Sequence, residues 1–377
     1  MTKILVEHSF HHPFNPEKVT GGTERYCYQL FSLLKQRGLD VKLAVPHDTD
    51  DKFVNDDVIR LSRTSKQYAT DNGKGATSHR LWWAELDELS KDFDLVITNS
   101  ELSSRSFVQY HHLPKKQIHI NHFAFLCQGS QMGFRYLLMS QWVRQNGGRV
   151  LSSGEIPMLS ANETWESKKE VIEKAYGDII EKLEHFSPPL HDGVLDVNIL
   201  PHDLQPLKKG GKRVVVVGRP ETGKRISLSA KVLVELANHG YDCDLFITPH
   251  GKEYEKVLET IANTSVNLHV GVSHNEIMVA LASAGFLLFS SRDETNGLVA
   301  FEGATSGCKV FYSIPEPKHF LQPANAGIFF DDKSPKKIAQ LIVDTEYPSD
   351  EERRRQRDWY EKNYSTESVT DRILAWV

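Results

Sequence analysis

Short, almost wholly apolar runs alternate along this chain with longer stretches in which apolar residues recur at helical spacing. The runs fall at residues 4–7, 41–45, 95–98, 118–122, 158–161, 214–217, 245–248, 268–270, 286–289 and 310–312. Each is too short for a helix and is bounded by polar or glycine-containing segments, which marks it as a strand. Strands that alternate with helices and are apolar on both faces belong in parallel sheets covered on both sides, so the pattern predicts an α/β protein of doubly wound type. In such sheets ligands gather beyond the carboxyl ends of the strands. Two stretches break the alternation, 187–193 with its Pro-Pro pair and 208–212 with Lys-Lys-Gly-Gly-Lys. They divide the chain into an expected first domain at 1–205 and a second at 206–350, followed by a helical segment at 351–377.

Composition adds bounds. The 377 residues suffice for two cores of ordinary size. A net charge of −5 with 25% charged residues argues against a bulk polyanion-binding tail, so any nucleic-acid contact must be local. Cys27, Cys127, Cys243 and Cys308 are widely separated, with no C-x-x-C pair, and read as reduced buried thiols. The apolar run within the first nine residues is too brief for a signal peptide, and no run reaches the length of a membrane span. The expectation is a cytoplasmic protein.

The chemistry concentrates between Ser290 and Val310. A buried strand at 286–289 ends there, and Ala300, Phe301 and Ala304 give the spacing of a following helix that Asn296 and Gly297 open. The unpaired amides of a helix start form an anion site, and glycine permits close approach of a phosphate. Glu294 lies in the turn and Glu302 eight positions later, inside the helix. One carboxylate can accept hydrogen bonds from the hydroxyls of a sugar, the other from the ribose of its nucleotide. Taken alone, the pair reads more readily as two solvated glutamates on a surface helix, and the surrounding residues change that balance. Upstream, the strand at 214–217 runs into Gly218-Arg219, with Lys224 five positions on. Two fixed cations at a strand end stabilise the charge that grows on a departing phosphate.

These residues resemble the retaining glycosyltransferases of GT-B fold, family 4-like, which carry paired glutamates separated by seven residues. Ser291, Glu294, Gly297, Leu298, Glu302, Ala304 and Gly307 fall on the positions of that signature, while Asn296 stands where the family carries an aromatic residue. The resemblance implies two Rossmann-like domains facing each other across a cleft, with the terminal helices, and Trp359 and Trp376 among them, packing back across the junction. It implies that Arg219 and Lys224 clamp the donor diphosphate, that Gly21 and Gly22 form a first glycine-rich loop against the donor, and that His122 positions the transferred sugar. The implied co-substrate is a nucleoside diphosphate sugar, a UDP- or GDP-sugar, with no required cofactor and no metal. His250 and Gly271, in strand-end segments, are expected near the base.

The acceptor is less legible. Residues 60–80 carry Arg60, Arg63, Lys66, Lys74 and Arg80 against Asp71 alone, and Arg63, Lys66 and Arg80 are candidates for an anionic acceptor. A plain solvated loop fits the same residues. The acceptor classes are a hydroxyl on a soluble or glycan molecule or, alternatively, DNA with hydroxymethylated pyrimidines. A sugar-nucleotide-binding relative without transferase activity is a third reading. Three Asp-x-Asp triplets also occur. Those at 92–94 and 242–244 precede expected strands, at the wrong end for a ligand, and that at 48–50 lies in an acidic turn. Arg353, Arg354, Arg355 and Arg357 are expected on a solvated helical face.

Overall fold

The structure is a computed structural model and describes residues 2–8, 13–15, 22–70, 77–99, 117–121, 149–152, 184–185, 212–292, 297–314, 321–364, 371 and 373–375. It divides into two units, Met1–His191 with Thr366–Val377, and Asp192–Ser365.

In the first unit, β1 (Lys3–Glu7) is buried on both faces from Ile4 onward, as its unbroken apolar run requires. It pairs in parallel with β2 (Asp40–Val45) and with β4 (Leu95–Thr98). β3 (Val58–Arg60), β5 (Gln117–Asn121), β6 (Arg149–Ser152) and β7 (Glu184–His185) complete the order β3-β2-β1-β4-β5-β6-β7. The order reverses between β1 and β4. Helix α1 (Gly22–Gln36) follows β1, while α2 (Ser65–Thr70) and α3 (Thr77–Ser90) join β3 to β4. The core gathers Ile4, Val6, Leu30, Leu34, Leu43, Ile97 and Ile118, and Ile373 from the far end of the chain joins it. Arg37 holds the same tail through an ion pair with Asp371.

The second unit is a six-stranded parallel sheet ordered β10-β9-β8-β11-β12-β13. Its strands are β8 (Arg213–Gly218), β9 (Asp242–Ile247), β10 (Asn267–Val270), β11 (Phe286–Phe289), β12 (Lys309–Tyr312) and β13 (Gly327–Phe329). The helices are α4 (Ile226–Asn238), α5 (Tyr254–Ile261), α6 (His274–Ser283), α7 (Leu298–Thr305), α8 (Pro335–Asp344) and α9 (Asp350–Tyr364). α4 packs between α5 and α8, and α7 packs against α6 and α9. Val214, Val216, Leu233, Leu245, Phe286, Leu288 and Phe311 fill the core, each fully buried side chain stabilising by roughly 1.5–3 kcal/mol. The order reverses between β8 and β11, so the crevice that binds ligands in open sheets lies at their carboxyl ends.

Several expectations are corrected. The strand expected at 118–122 ends at Asn121, and His122 lies outside the described residues, as does the expected strand at 158–161. Asp242 and Asp244 do not precede a strand but lie within β9. Asp244 is fully buried, 3.2 Å from Arg213 Nε and 2.9 Å from His269 Nε2, and it accepts a bond from Asn267. This buried network ties β8, β9 and β10 together, and removing one charge from such a pair costs about 3–5 kcal/mol. The arginines of α9 are not all solvated. Arg353 is buried and donates to the carbonyls of Gly307 and Ala282, whereas burial and neighbouring Arg353 lower the pKa of Arg357. Cys27, Cys243 and Cys308 are buried, and Cys127 lies outside the described residues. No helix among the described residues is long and apolar enough to cross a membrane.

Candidate functional site

The first loop at the reversal point of the second unit leaves β8 at Gly218, where an added Cβ would meet Ile226 Cδ1 at 2.6 Å. The chain then passes through exposed Arg219 and a 3-10 turn at Thr222–Lys224. It enters α4 through Arg225, held at φ 53°, a left-handed conformation uncommon for a residue with a side chain. The second loop leaves β11 at Ser290. It re-enters the described residues at Gly297, which caps α7 at φ 64°, and glycine takes that conformation without a Cβ penalty.

The two loops are fastened to each other. Ser290 Oγ lies 2.6 Å from Ser229 Oγ and donates to the carbonyls of Arg225 at 3.2 Å and Lys224 at 3.4 Å. The Gly223 carbonyl accepts the Arg292 amide at 2.7 Å and the Ser291 hydroxyl at 3.4 Å. Folding therefore sets the loop that carries Arg219 and Lys224 beside the loop that opens α7.

The rim continues outward through the neighbouring loops. The Glu253 amide donates to the Pro220 carbonyl at 2.8 Å, and a Cβ on Gly251 would meet that carbonyl oxygen at 2.5 Å. His250 is exposed beside this contact. Gly271, at φ 67°, donates to the Ile247 carbonyl at 2.9 Å and lies against Pro249. Arg219, Lys224, His250, Gly271, Gly297, Leu298 and Glu302 thus belong to one carboxyl edge or to the helices that start from it. Glu302 projects from α7 with its side chain 12% exposed, and its Oε1 lies 3.3 Å from Nε2 of His274, the first residue of α6. Sequence reading did not single out His274. The capping box of Ser273 and Glu276 marked a helix start there, but nothing local tied that start to Glu302.

Glu294, Asn296 and Gly21 lie outside the described residues. Gly22 is the first residue of α1, in the first unit. Arg63 and Lys66 follow β3, Arg63 half-buried and Lys66 exposed. Arg80 lies on α3, its side chain not among those described. Arg60 is engaged by Asp51 and the Thr49 carbonyl. The acidic turn at 48–50 is structural: Asp48 accepts the Ser65 amide at 2.7 Å and the Ser65 hydroxyl at 2.6 Å, and Asp50 accepts the Lys52 amide at 3.1 Å. Among the described residues no three His, Cys, Asp or Glu side chains are grouped so as to hold a metal ion.

Residues 20–151 match the family model of glycosyltransferase family 4, and residues 202–364 match that of the glycosyl transferases group 1. Among solved structures, the chain is similar to WaaG, a glycosyltransferase involved in lipopolysaccharide biosynthesis, at 15% identity over 98% of both chains with a TM-score of 0.61. It is similar to sucrose-phosphate synthase from Thermosynechococcus elongatus at 13% identity and a TM-score of 0.67, covering 99% of this chain and 98% of that one. The catalytic domain of starch synthase IV from Arabidopsis thaliana, bound to ADP and acarbose, gives 11% identity and a TM-score of 0.68, covering 100% of this chain and 98% of that one. These likenesses show the GT-B fold. No curated protein matches the chain by sequence.

Proposed function

Since the chain belongs to the family 4-like glycosyltransferases and is a nucleotide-sugar-dependent enzyme, we propose that it transfers its sugar with retention of anomeric configuration to a hydroxyl of a glycan or other soluble acceptor. The observation that carries this reading is the fastening of the Arg219–Lys224 loop to the Ser290–Arg292 loop. In the proposed reaction the acceptor oxygen bonds to the anomeric carbon from the face that the diphosphate leaves. The bond from that carbon to the phosphate oxygen breaks, and the acceptor proton passes to the departing phosphate. No side chain is needed as a nucleophile.

What the protein supplies is electrostatic. Arg219 and Lys224 meet the charge that grows on the diphosphate, and the amides that open α7 at Gly297 and Leu298 add a second anion-binding element. Glu302 accepts the ribose hydroxyls, and His250 and Gly271 flank the base. Glu294 and His122 position the transferred sugar, and Gly21 and Gly22 approach the donor's phosphate and sugar. Arg63, Lys66 and Arg80 serve the acceptor. With Arg60 already occupied by Asp51, the 60–80 segment presents fewer cations than its composition suggests. No observation favours modified DNA over a glycan hydroxyl, and the DNA reading is not carried further. The donor is a UDP-, GDP- or ADP-sugar; ADP enters because it is the nucleotide bound in the starch synthase.

The test is a thermal-stabilisation screen of nucleotide sugars, because a ligand at a hundred times its dissociation constant adds about 2.7 kcal/mol. Nucleoside diphosphate release and proton NMR of the anomeric centre follow. Release with the donor's configuration preserved is expected. An inverted product would overturn retention, and stabilisation by no donor would overturn the site.

A further inference from the structure

Helix α9 is fastened along α7 by polar contacts near its start and aromatic contacts near its end. Arg353 is buried, and its guanidinium donates to the carbonyl of Gly307 at 3.3 Å and to that of Ala282, in the last turn of α6. Three residues on, Gln356 Nε2 donates to the carbonyls of Ala304 at 2.6 Å and Cys308 at 2.9 Å. Farther along, the rings of Tyr360 and Tyr364 lie 5.8 Å and 5.4 Å from that of Phe301. Residue numbers rise along α9 as they fall along α7, so the two helices are antiparallel and the polar contacts gather at the C-terminal end of α7. Carbonyls at a helix end lack intrahelical donors, and a cation or amide placed there satisfies them. The Cys308 thiol closes the same node, donating to the Leu281 carbonyl at 3.1 Å and the Ala284 carbonyl at 3.4 Å.

The opposite end of α7 is the one that opens at Gly297. On its buried face α7 carries Ala300, Phe301, Gly303 and Ala304, and apolar packing is non-directional. Hydrogen bonds are directional, so those from Arg353 and Gln356 to Gly307, Ala304 and Cys308 fix where α7 ends along its axis. The 8 residues of α7 make a rod about 12 Å long, and a slip of its far end moves its first amides with it. A slip of about 0.5 Å takes an N–H···O contact from its optimum past the edge of its range. We propose that Arg353 and Gln356 are positioning residues that set α7 along its axis from its far end, so that the amides at Gly297 and Leu298 meet the donor's diphosphate. The inference rests on the reading of those amides as an anion-binding element given above.

The experiment titrates UDP, GDP and ADP, and their parent nucleosides, into the wild-type chain and into Arg353→Met, Arg353→Lys, Gln356→Met and Arg354→Ala, each at a temperature where thermal unfolding shows it folded. In Arg353→Met and Gln356→Met the diphosphate should bind roughly three- to tenfold more weakly, the scale of a partly lost contact with a helix start, while nucleoside affinity is unchanged. Arg353→Lys keeps a cation and a donor at the node and should recover part of the Arg353→Met loss. Arg354 is exposed on the next position of α9, and Arg354→Ala should match the wild type. Should Arg353→Met fail to fold, Gln356→Met carries the same test, because it leaves Arg353 in place. Folded variants that bind both ligands as the wild type does, or that lose diphosphate and nucleoside equally, would show a purely structural role and overturn the proposal. A loss in Arg354→Ala as large as that in Arg353→Met would also overturn it, by making the effect one of net charge. A wild type that binds the diphosphate no better than the nucleoside would overturn the reading of the helix start itself, and the proposal with it.

Discussion

Replacing Ser290 by alanine tests the fastening between the two loops. Ser290 is 3% and Ser229 0% exposed, so neither hydroxyl finds water in place of the other. Their 2.6 Å contact and the bond to the Arg225 carbonyl at 3.2 Å are the strong links, and the 3.4 Å approach to the Lys224 carbonyl is marginal. Losing a buried hydrogen bond costs about 1 kcal/mol net, and leaving the Ser229 hydroxyl without its partner adds about 1–3 kcal/mol of desolvation. A loss of about 2–3 kcal/mol is expected, which in a unit of this size lowers Tm by roughly 4–12 °C. The assay is denaturant unfolding of the full chain, followed by donor turnover at a temperature where the variant is folded. Turnover should fall as well, because Arg219 and Lys224 lose their register with the start of α7. The double change Ser229→Ala with Ser290→Ala should recover part of the stability, since no orphaned hydroxyl then remains. Stability of Ser290→Ala within about 0.5 kcal/mol of wild type, or a double variant whose losses simply add, would refute the reasoning.

Other outcomes follow from single features. Asp48→Ala removes two bonds to Ser65 and should cost about 1–2 kcal/mol of stability without altering any response of donor turnover to chelator; a change in metal response would show that the acidic turn binds a cation. Ser227 is 5% exposed and its hydroxyl has no partner among the described residues, so Ser227→Ala should leave stability unchanged or raise it by up to about 1 kcal/mol in thermal unfolding, and a loss larger than that would contradict the assignment. Burial pushes the Cys308 thiol from 9.0 up to about 11. The folded state therefore keeps a proton that the unfolded chain gives up, and stability should fall as pH rises from about 9 to 11. Cys308→Ala should flatten that slope, and an unchanged slope would show that other groups set it.

Much of the second unit was legible because its signals are local. An unbroken apolar run at 286–289, a glycine suited to a left-handed cap and a helical repeat behind it placed Gly297, Leu298 and Glu302 within a few residues of one another. The same logic located Arg219 and Lys224 after β8. What sequence did not disclose is carried by distant partners. His274 meets Glu302 only because α6 and α7 pack together. Asp242 and Asp244 resembled a pre-strand turn because isolated aspartates disfavour strands, yet within the sheet Asp244 lies against the Arg213 guanidinium and the His269 ring. Arg353 read as solvated because its own helix is polar, whereas Gly307, at φ 87° and without a side chain, leaves room for α9 to lie over it. The two-residue β7 and three-residue β13 are too short to show a period. Glu294 and His122 belong to the proposed mechanism through their resemblance to the family alone.

The claim on which the rest depends is that Arg219 and Lys224, beside the start of α7, grip the donor's diphosphate. Calorimetric titration of the bound nucleoside diphosphate and its parent nucleoside, into the wild type and into Arg219→Ala with Lys224→Ala, tests it most directly. The account predicts a wild-type preference for the diphosphate of about a hundredfold, falling to within a few-fold in the double variant while nucleoside affinity is unchanged. An undiminished preference in the double variant would contradict it.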